Sequence, residues 1–516
     1  VIPLAGPLRS GKSKEGLYIL LPLLSAALLL PAYPPLEWGG LAWFALIPLL
    51  HFSLKAAPGR AFWGGLLFGL PLHLYLNHYL FGVLYDFLSP PLAVLAMAAL
   101  VLIISLLNGL FSWLVSRARF YHPLLLAFFI PSLWLALEYV RSLSFLGYNV
   151  GYLGYTQWQY PLLLNLVSFY GYWGLPFAMV AWQSMVTLAL ERRLKGKALP
   201  TAAAVFLLFL AIGLAAPELF PHQPGPSLKT ALIQGNSSTE EILSSSGKKV
   251  ILRRYLDLTR QAVENKPETE LVVWPETVVE LNFRKDREHL PEMSSLAEEL
   301  GISILYGARV RTDEALYNGI VLLVPGEEPQ TYYKQRLVPF VEYFPWEEWL
   351  NRLLTLESKI GSYTPGPGPA LFELKGIPLA GVVCYESYFG DYARHFGRAG
   401  SRHLFVLTND AWFGTTIGLE QHAQVAAIRA AELGIGTTQV ANSGITISFD
   451  LRGRELLRTG KMTREINTLN LDLSRRSTFY LLAGDYLPWA SLLFLAAAAL
   501  PRQVSRRRAG LPVRKS

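Results

Sequence analysis

Three ionisable residues close short apolar runs in the second half of this chain, and their types suit acyl transfer. Cys384, the only cysteine in 516 residues, ends Ile377-Pro-Leu-Ala-Gly-Val-Val just before the sequence turns polar. A β-branched apolar run that stops there reads as a buried strand delivering a thiol to the edge of a sheet. A lone cysteine cannot form an intrachain disulfide, which leaves it as a small buried hydrophobe or a nucleophile. Glu276 closes Leu271-Val-Val-Trp-Pro, and Lys334 lies in Tyr332-Tyr-Lys-Gln-Arg-Leu-Val-Pro-Phe340. A thiol attacks as thiolate and needs a base and a cation close by. Glu276 is suited to take the proton and Lys334 to stabilise a tetrahedral oxyanion, with the Tyr385 N–H as a second donor. Spacing alone leaves blander uses open: Glu276 as a helix cap after Pro275, Lys334 as a solvated side chain.

The block that must position these residues reads as one α/β domain. Strands are expected at Lys229–Gln234, Leu271–Trp274, Ser303–Tyr306, Ile320–Val324, Leu379–Val383, Leu404–Thr408, Thr437–Val440 and Ile445–Phe449. Val250–Asn265, Leu290–Leu300 and Glu420–Leu433 carry apolar residues at helical spacing. Strands alternating with helices favour layered α/β packing. Tyr363-Thr-Pro-Gly-Pro-Gly-Pro369 marks a long loop.

The rest of the chain is built for a membrane. Hydrophobic residues make up 52% and charged residues 16%, where a soluble enzyme carries about 25% charge. Apolar stretches at 17–33, 38–54, 61–85, 91–116, 123–139, 161–190, 199–216 and 486–500 suggest about eight spans. The expected division is a transmembrane region over 1–216, a polar catalytic block over 217–485, and a last span with a basic tail over 486–516. No small-residue cleavage site follows the first stretch, so it is expected to stay as an anchor. Segments 1–16, 55–60, 117–119, 191–197 and 501–516 carry formal charges of +2, +2, +2, +3 and +6. The intervening turns at 34–37 and 86–90 have no Lys or Arg, and 140–160 has only Arg141. This alternation places both termini in the cytoplasm and the polar block outside. The five basic segments hold +15 of a chain whose net charge is +8, so everything else carries −7. The basic residues are therefore topology signals, with Arg506-Arg-Arg508 facing anionic lipid, and a nucleic-acid partner is not expected.

Several of these motifs together resemble a known family. Trp274-Pro-Glu276, Lys334 followed by Leu337-Val-Pro339, and Cys384-Tyr-Glu386 resemble the Glu–Lys–Cys contexts of the nitrilase superfamily. Gln234-Gly-Asn236, Tyr317-Asn318, Pro339-Phe340 with Glu342, Asn409-Asp-Ala-Trp-Phe-Gly414, Arg429-Ala-Ala-Glu-Leu-Gly434 and Asn442-Ser-Gly444 follow in order. With the apolar spans, the whole chain resembles the bacterial apolipoprotein N-acyltransferases. The resemblance implies a nitrilase-like α-β-β-α sandwich beside a polytopic helical membrane domain. It implies Glu276 as general base, Lys334 as oxyanion stabiliser and Cys384 as nucleophile. Glu342, Tyr385 and Glu386 match secondary active-site positions, and Asn318 a positioning residue.

The implied reaction is ping-pong transfer at the inner membrane. A phospholipid acyl group passes to Cys384, then to the α-amine of the S-diacylglyceryl cysteine of an apolipoprotein, in the last step of lipoprotein maturation. No cofactor or metal is implied, and the sequence shows no P-loop, Rossmann glycine pattern or His/Cys cluster of metal spacing. The expected unit is a monomer. The alternative is a membrane-tethered carbon–nitrogen hydrolase or thioesterase with water as acceptor. Two departures bear on substrate contacts: Glu241-Ile-Leu-Ser-Ser-Ser246 has no tryptophan where relatives carry one, and Gln439 replaces an expected arginine. The aromatic stretch from Phe340 to Trp349, with Leu350–Leu356, reads either as an arm entering the outer leaflet or as a packed loop. His73, Asn77 and His78 lie within a span, where they line a lipid cavity or bond between helices.

Overall fold

The computed structural model describes residues 12–143, 147–282, 289–343 and 362–508. Strands begin with β1 (His222–Gln223), β2 (Ser227–Gln234), β3 (Leu271–Val273), β4 (Val279–Asn282), β5 (Ser303–Arg311), β6 (Leu316–Leu323) and β7 (Gln330–Tyr333). Beyond the proline–glycine loop come β8 (Leu371–Leu374), β9 (Ile377–Val383), β10 (His403–Thr408) and β11 (Gly436–Ala441). The series ends with β12 (Ile447–Phe449), β13 (Glu455–Arg458), β14 (Glu465–Asp472) and β15 (Arg475–Arg476). One sheet runs β14-β2-β3-β5-β6-β7 with β4 beside β5; the other runs β13-β12-β11-β10-β9-β8. In each, three central strands are parallel and the flanks antiparallel.

Alternation along the first sheet sends its residues into two cores, as the two-residue strand period requires. Leu232, Val273, Leu305 and Ile320 join the core shared with Phe372, Ala380 and Val406 of the second sheet. Their neighbours Ile233, Val272, Ile304 and Val321 pack against Tyr255 and Leu296 of helices Ser245–Asn265 and His289–Leu300. The second sheet is covered by helices Gly390–Arg398 and Val425–Leu433. The layers are thus helix, sheet, sheet, helix. Each expected strand is present, and β1, β4, β7, β8 and β13–β15 come in addition to them. The helix expected over Glu420–Leu433 is two, Gly418–Ala423 and Val425–Leu433.

The expected apolar stretches are helical, and several of them are broken into shorter helices. Pro90–Ala118, Pro123–Ser142 and Ala198–Leu219 are long and apolar enough to cross a membrane alone. The stretch 161–190 divides into Pro161–Tyr170 and Gly174–Leu190, bent by 108°. The break falls at Gly171, whose φ of +66° closes the first helix and whose absent Cβ leaves room for the Tyr480 ring. The stretch 61–85 likewise divides, into Pro58–Asn77 and Leu80–Phe87. The basic loops share one end of the bundle: Lys55 pairs with Glu191 (3.3 Å), Arg119 Nη1 donates to Ala56 O (2.7 Å), and Arg193 donates to Arg119 O. The other end meets the sandwich, where Asn149 Nδ2 donates to Tyr388 O (3.1 Å) and Gln421 Nε2 to Leu76 O (3.2 Å). Among the polar residues noted in sequence, His73 and Asn108 bond between helices (2.8 Å), and Asn77 accepts from Tyr148 OH. Most of the aromatic arm, 344–361, lies outside the described residues, as do 1–11 and 509–516 of the basic ends.

One glycine lets the turn that carries Glu276 lie against the sheet. Gly307 on β5 lies beneath the turn after β3, and a Cβ there would stand 2.5 Å from Glu276 Cα and 2.6 Å from Pro275 O. Backbone atoms cannot yield as a flexible side chain would. Gly307→Ala should therefore destabilise the fold by about 1–3 kcal/mol, measured as a lowered melting temperature in detergent. An unchanged melting temperature would show that the turn has slack.

Candidate active site

The strand ends explain why distant residues meet. Glu276 follows β3, Asn318 lies on β6, Lys334 follows β7, Cys384 closes β9 and Asn409 closes β10. β9 and β10 are adjacent and parallel, with Val383 opposite Leu407. The two sheets face each other, so their strand ends converge on one edge.

There Asn318 Nδ2 donates to Glu276 Oε1 (2.7 Å) and to Glu342 Oε1 (2.9 Å). The Asn409 N–H donates to Glu276 Oε2 (2.8 Å). Lys334, 1% exposed, places Nζ 3.0 Å from Glu342 Oε1 and 4.0 Å from Glu276 Oε1. Glu342 is held in turn by the Val338 N–H (2.7 Å). The structure brings Glu276, Lys334, Glu342 and Asn318 into one buried network and sets Cys384 within its electrostatic reach.

Burial pushes the Glu276 carboxyl up, against the opposing pull of Lys334. For Lys334, burial would favour the neutral amine, but Glu342 and Glu276 outweigh it and the ammonium is held. Desolvation pushes the Cys384 thiol well above its ordinary range; Glu276 adds to the rise and Lys334 works against it. The resting sulfur is a thiol, and its activation calls for a base in place. Cys384 also has a left-handed backbone, φ +51°, at the start of a short 3₁₀ turn. A non-glycine residue there stores about 1–3 kcal/mol and needs surrounding contacts to hold it.

Glu386 supplies one such contact without touching the network. Its Oε2 accepts from the Val383 N–H (2.8 Å), and Oε1 from the N–H groups of Gln335 (2.7 Å) and Arg336 (3.1 Å) and from Tyr332 OH (2.8 Å). It ties the cysteine turn to the loop carrying Lys334. Tyr385 points elsewhere: its hydroxyl donates to Gly147 O (2.6 Å) among the membrane-domain residues.

Asn409 and Tyr332 have roles that spacing did not reveal. Asn409 belongs to a quoted motif, but only the pairing of β9 with β10 places it beside Cys384. Gln234-Gly-Asn236 and Asn442 prove to be a clasp between sheets: Asn236 N–H donates to Asn442 O (2.8 Å), and Asn442 Nδ2 to Ser237 O (2.8 Å) and Asn409 Oδ1 (3.1 Å). In the segment lacking tryptophan, Glu241 caps a helix and pairs with Arg254 (2.6 Å). Gln439 is buried on β11, its Nε2 donating to Ile445 O (3.1 Å).

Asp410 and His422 also gather near Cys384, and donor atoms of the three lie within 4.8 Å of one another. No such cluster is visible in sequence. Both ring nitrogens of His422 are already engaged by protein atoms.

A two-sheet sandwich with glutamate, lysine and cysteine on converging strand ends defines the class of carbon–nitrogen hydrolase folds, and residues 229–479 match the family described as Carbon-nitrogen hydrolase. Residues 25–185 match the Apolipoprotein N-acyltransferase N-terminal domain. The chain is 33% identical to an Apolipoprotein N-acyltransferase of Azotobacter vinelandii over 95% of this chain and 96% of that one. It is 30% identical to one of Geobacter metallireducens, over 93% and 94%. Among solved structures it is similar to Saccharomyces cerevisiae Nit3, a member of branch 10 of the nitrilase superfamily, at 18% identity and a TM-score of 0.38, covering 54% of this chain and 96% of that one. The chain belongs to the apolipoprotein N-acyltransferase family, and is an acyltransferase.

The buried network makes a pH-dependent prediction. In Lys334→Met, Glu276 loses the cation that opposes its upward shift, so the folded state holds a proton that the unfolded chain has released. Stability must then fall as pH rises through and above the ordinary carboxylate range. Breaking a buried pair costs about 3–5 kcal/mol. The variant's melting deficit should be larger near pH 8 than near pH 5; equal deficits would mean that Glu276 does not feel Lys334.

Proposed function

We propose that the enzyme moves an acyl chain from a membrane phospholipid to the α-amine of the S-diacylglyceryl cysteine of an apolipoprotein, through a thioester on Cys384. The observation that carries this reading is the Glu276–Lys334–Cys384 arrangement joined to the N-terminal apolar region, at Gly147 and Asn149 of the loop after Ser142 and at Leu76 of a helix, through Tyr385, Tyr388 and Gln421. Both proposed substrates are lipid-anchored, so a site fixed to the bilayer meets them by lateral diffusion.

In the first half-reaction Glu276 takes the Cys384 proton as sulfur attacks the ester carbonyl. Lys334 stabilises the oxyanion, worth roughly 10²–10³-fold per donor. The tetrahedral species collapses, the C–O bond breaks, and Glu276 returns the proton to the departing lysophospholipid hydroxyl. In the second, the acceptor amine attacks the thioester. Glu276 accepts the amine proton, the C–S bond breaks, and that proton restores the Cys384 thiol as the amide forms. Breaking a thioester to make an amide is downhill, so no nucleotide is needed. Glu342 and Asn318 orient the base and the lysine, and Glu386 holds the cysteine turn. The working unit is a monomer in the bacterial inner membrane. The catalytic block faces the periplasm and both termini the cytoplasm, a reading supported by the basic loops that meet at one end of the bundle.

Intact-mass measurement decides between transfer and hydrolysis. The protein mixed with phospholipid should accumulate an acyl adduct on Cys384, absent in Cys384→Ala and slowly lost in buffer. A peptide with an S-diacylglyceryl N-terminal cysteine should discharge it quickly to an N-acylated product, and an amine-blocked peptide should not. Decay to free fatty acid at one rate with and without the free amine would make the protein a hydrolase.

Topology has a separate test. A reporter fused after Ser516 should be cytoplasmic and one inserted near Gln223 exported; reversal at either site would place the catalytic block in the wrong compartment.

A further inference from the structure

The mechanism above leaves one buried charged pair beside the nucleophile unused. His422, in the helix Gly418–Ala423, is 1% exposed, and Asp410 is fully buried. His422 Nδ1 lies 2.8 Å from Asp410 Oδ1, and Nε2 lies 3.2 Å from the carbonyl oxygen of Cys384 itself. Asp410 Oδ1 also accepts from Thr408 Oγ1 (2.7 Å), and the imidazole stacks on Tyr388 at 5.5 Å with the rings 7° apart.

The two contacts favour the doubly protonated ring. A carboxylate at one nitrogen and a carbonyl at the other are both acceptors, and a neutral imidazole has a single N–H to offer. Bonding at both ends requires the imidazolium. The electrostatics agree: burial by itself disfavours the charge, but the field and hydrogen bond of Asp410 overcome it and hold the ring above its ordinary pKa. Ser387 Oγ, 3.2 Å from Nε2, shares that end of the ring.

The carbonyl so held belongs to the residue with φ +51°. Glu386 grips the strand on one side of Cys384 through the Val383 N–H, and His422 grips the other side through the Cys384 carbonyl. The grip reaches the membrane domain. Next to His422, Gln421 donates from Nε2 to Leu76 O and accepts at its carbonyl from Tyr388 OH (3.1 Å). Phe413 stacks edge-on against Tyr79 at 5.0 Å.

We propose that the buried Asp410–His422 ion pair is a positioning device for the nucleophile: the imidazolium holds the Cys384 carbonyl, maintains the left-handed turn that aims the thiol, and anchors that turn to the end of the membrane helix Pro58–Asn77. This rests on the reading of Cys384 as nucleophile. Asp410 lies within 4.8 Å of the sulfur and adds to the rise of the thiol that burial causes, whereas the hydrogen bond of His422 falls on the backbone carbonyl. Its effect falls on geometry, and a misplacement of about 1 Å costs on the order of 10²-fold in rate.

The test uses the full-length protein in mixed phospholipid micelles, following acyl-enzyme formation by intact mass. His422→Phe keeps the stack on Tyr388 and most of the volume but loses both hydrogen bonds; Asp410→Asn keeps shape and loses the charge. Each should lower the acylation rate constant roughly 10²-fold while the KM for phospholipid stays within about twofold. The double variant should be no slower than the slower single, because both act through one contact. Acylation by His422→Phe within about threefold of the parent would reduce the histidine to packing and overturn the proposal. Should that variant not fold, Asp410→Asn decides alone, and a parental rate there overturns it. Cys384→Ala is run in parallel: an adduct on that variant sinks the nucleophile assignment itself, whereas a fast His422→Phe with no adduct on Cys384→Ala sinks only the positioning role.

Discussion

A lysine ammonium with 1% exposure sits inside this protein, and much of the catalytic edge is arranged to make that tolerable. An isolated buried charge costs several kcal/mol even after relaxation. Lys334 offsets it with Glu342 at 3.0 Å and Glu276 at 4.0 Å, and the amide of Asn318 donates to both carboxylates. Each partner comes from a different segment, so the charge is compensated only when β3, β6 and the loops after β7 are all docked. Burial raises the Cys384 thiol, Glu276 adds to the rise, and Lys334 opposes it.

Strain at Cys384 is the second constraint. Turning the chain at the end of β9 directs Cys384 out of the sheet, and the left-handed backbone must be held by its neighbours. Glu386 does this from the lysine loop, and His422 from the helix that meets the membrane domain. Gly307 makes the matching allowance on the other sheet, letting the Pro275–Thr277 backbone lie flat against β5. The catalytic edge is thus built from two strained or crowded turns, each permitted by particular residues nearby.

The sandwich is coupled to the helices by buried polar contacts as well as by a shared apolar core. Glu432, pushed up to about 7 by burial, pairs with Arg429 at 3.0 Å and accepts the Tyr172 N–H at 2.6 Å. Trp173 Nε1 donates to Asp485 Oδ1 at 2.8 Å. Both Tyr172 and Trp173 lie at the sharp bend that divides the stretch 161–190. The bend is the place where the helical bundle grips the catalytic domain, which gives a physical reason for breaking an otherwise continuous apolar run.

The sequence by itself determined the class of the fold and the identities at its centre. Alternating apolar runs declare strands whatever they pair with, and a glutamate, a lysine and a cysteine closing such runs declare nucleophilic chemistry from residue type alone. Loop charges likewise declared which helix ends belong together, because that signal needs no partner to be read. What only the tertiary structure decided lies between segments. The flanking strands follow from pairing more than from local pattern, and the bends at Gly171 and after Asn77 follow from what docks against them. Glu386, which the resemblance sets at a secondary active-site position, braces the cysteine turn, since its hydrogen bonds reach Gln335 and Arg336 some 50 residues away. Asp410 lies in the Asn409–Gly414 motif, but its pairing with His422 carries no local signal, because a carboxylate and an imidazole become an ion pair only when β10 and the following helix bring them within 2.8 Å behind a particular carbonyl. Composition and period survive in one dimension; a shared proton, a held carbonyl and a compensated charge exist only where separate strands end together.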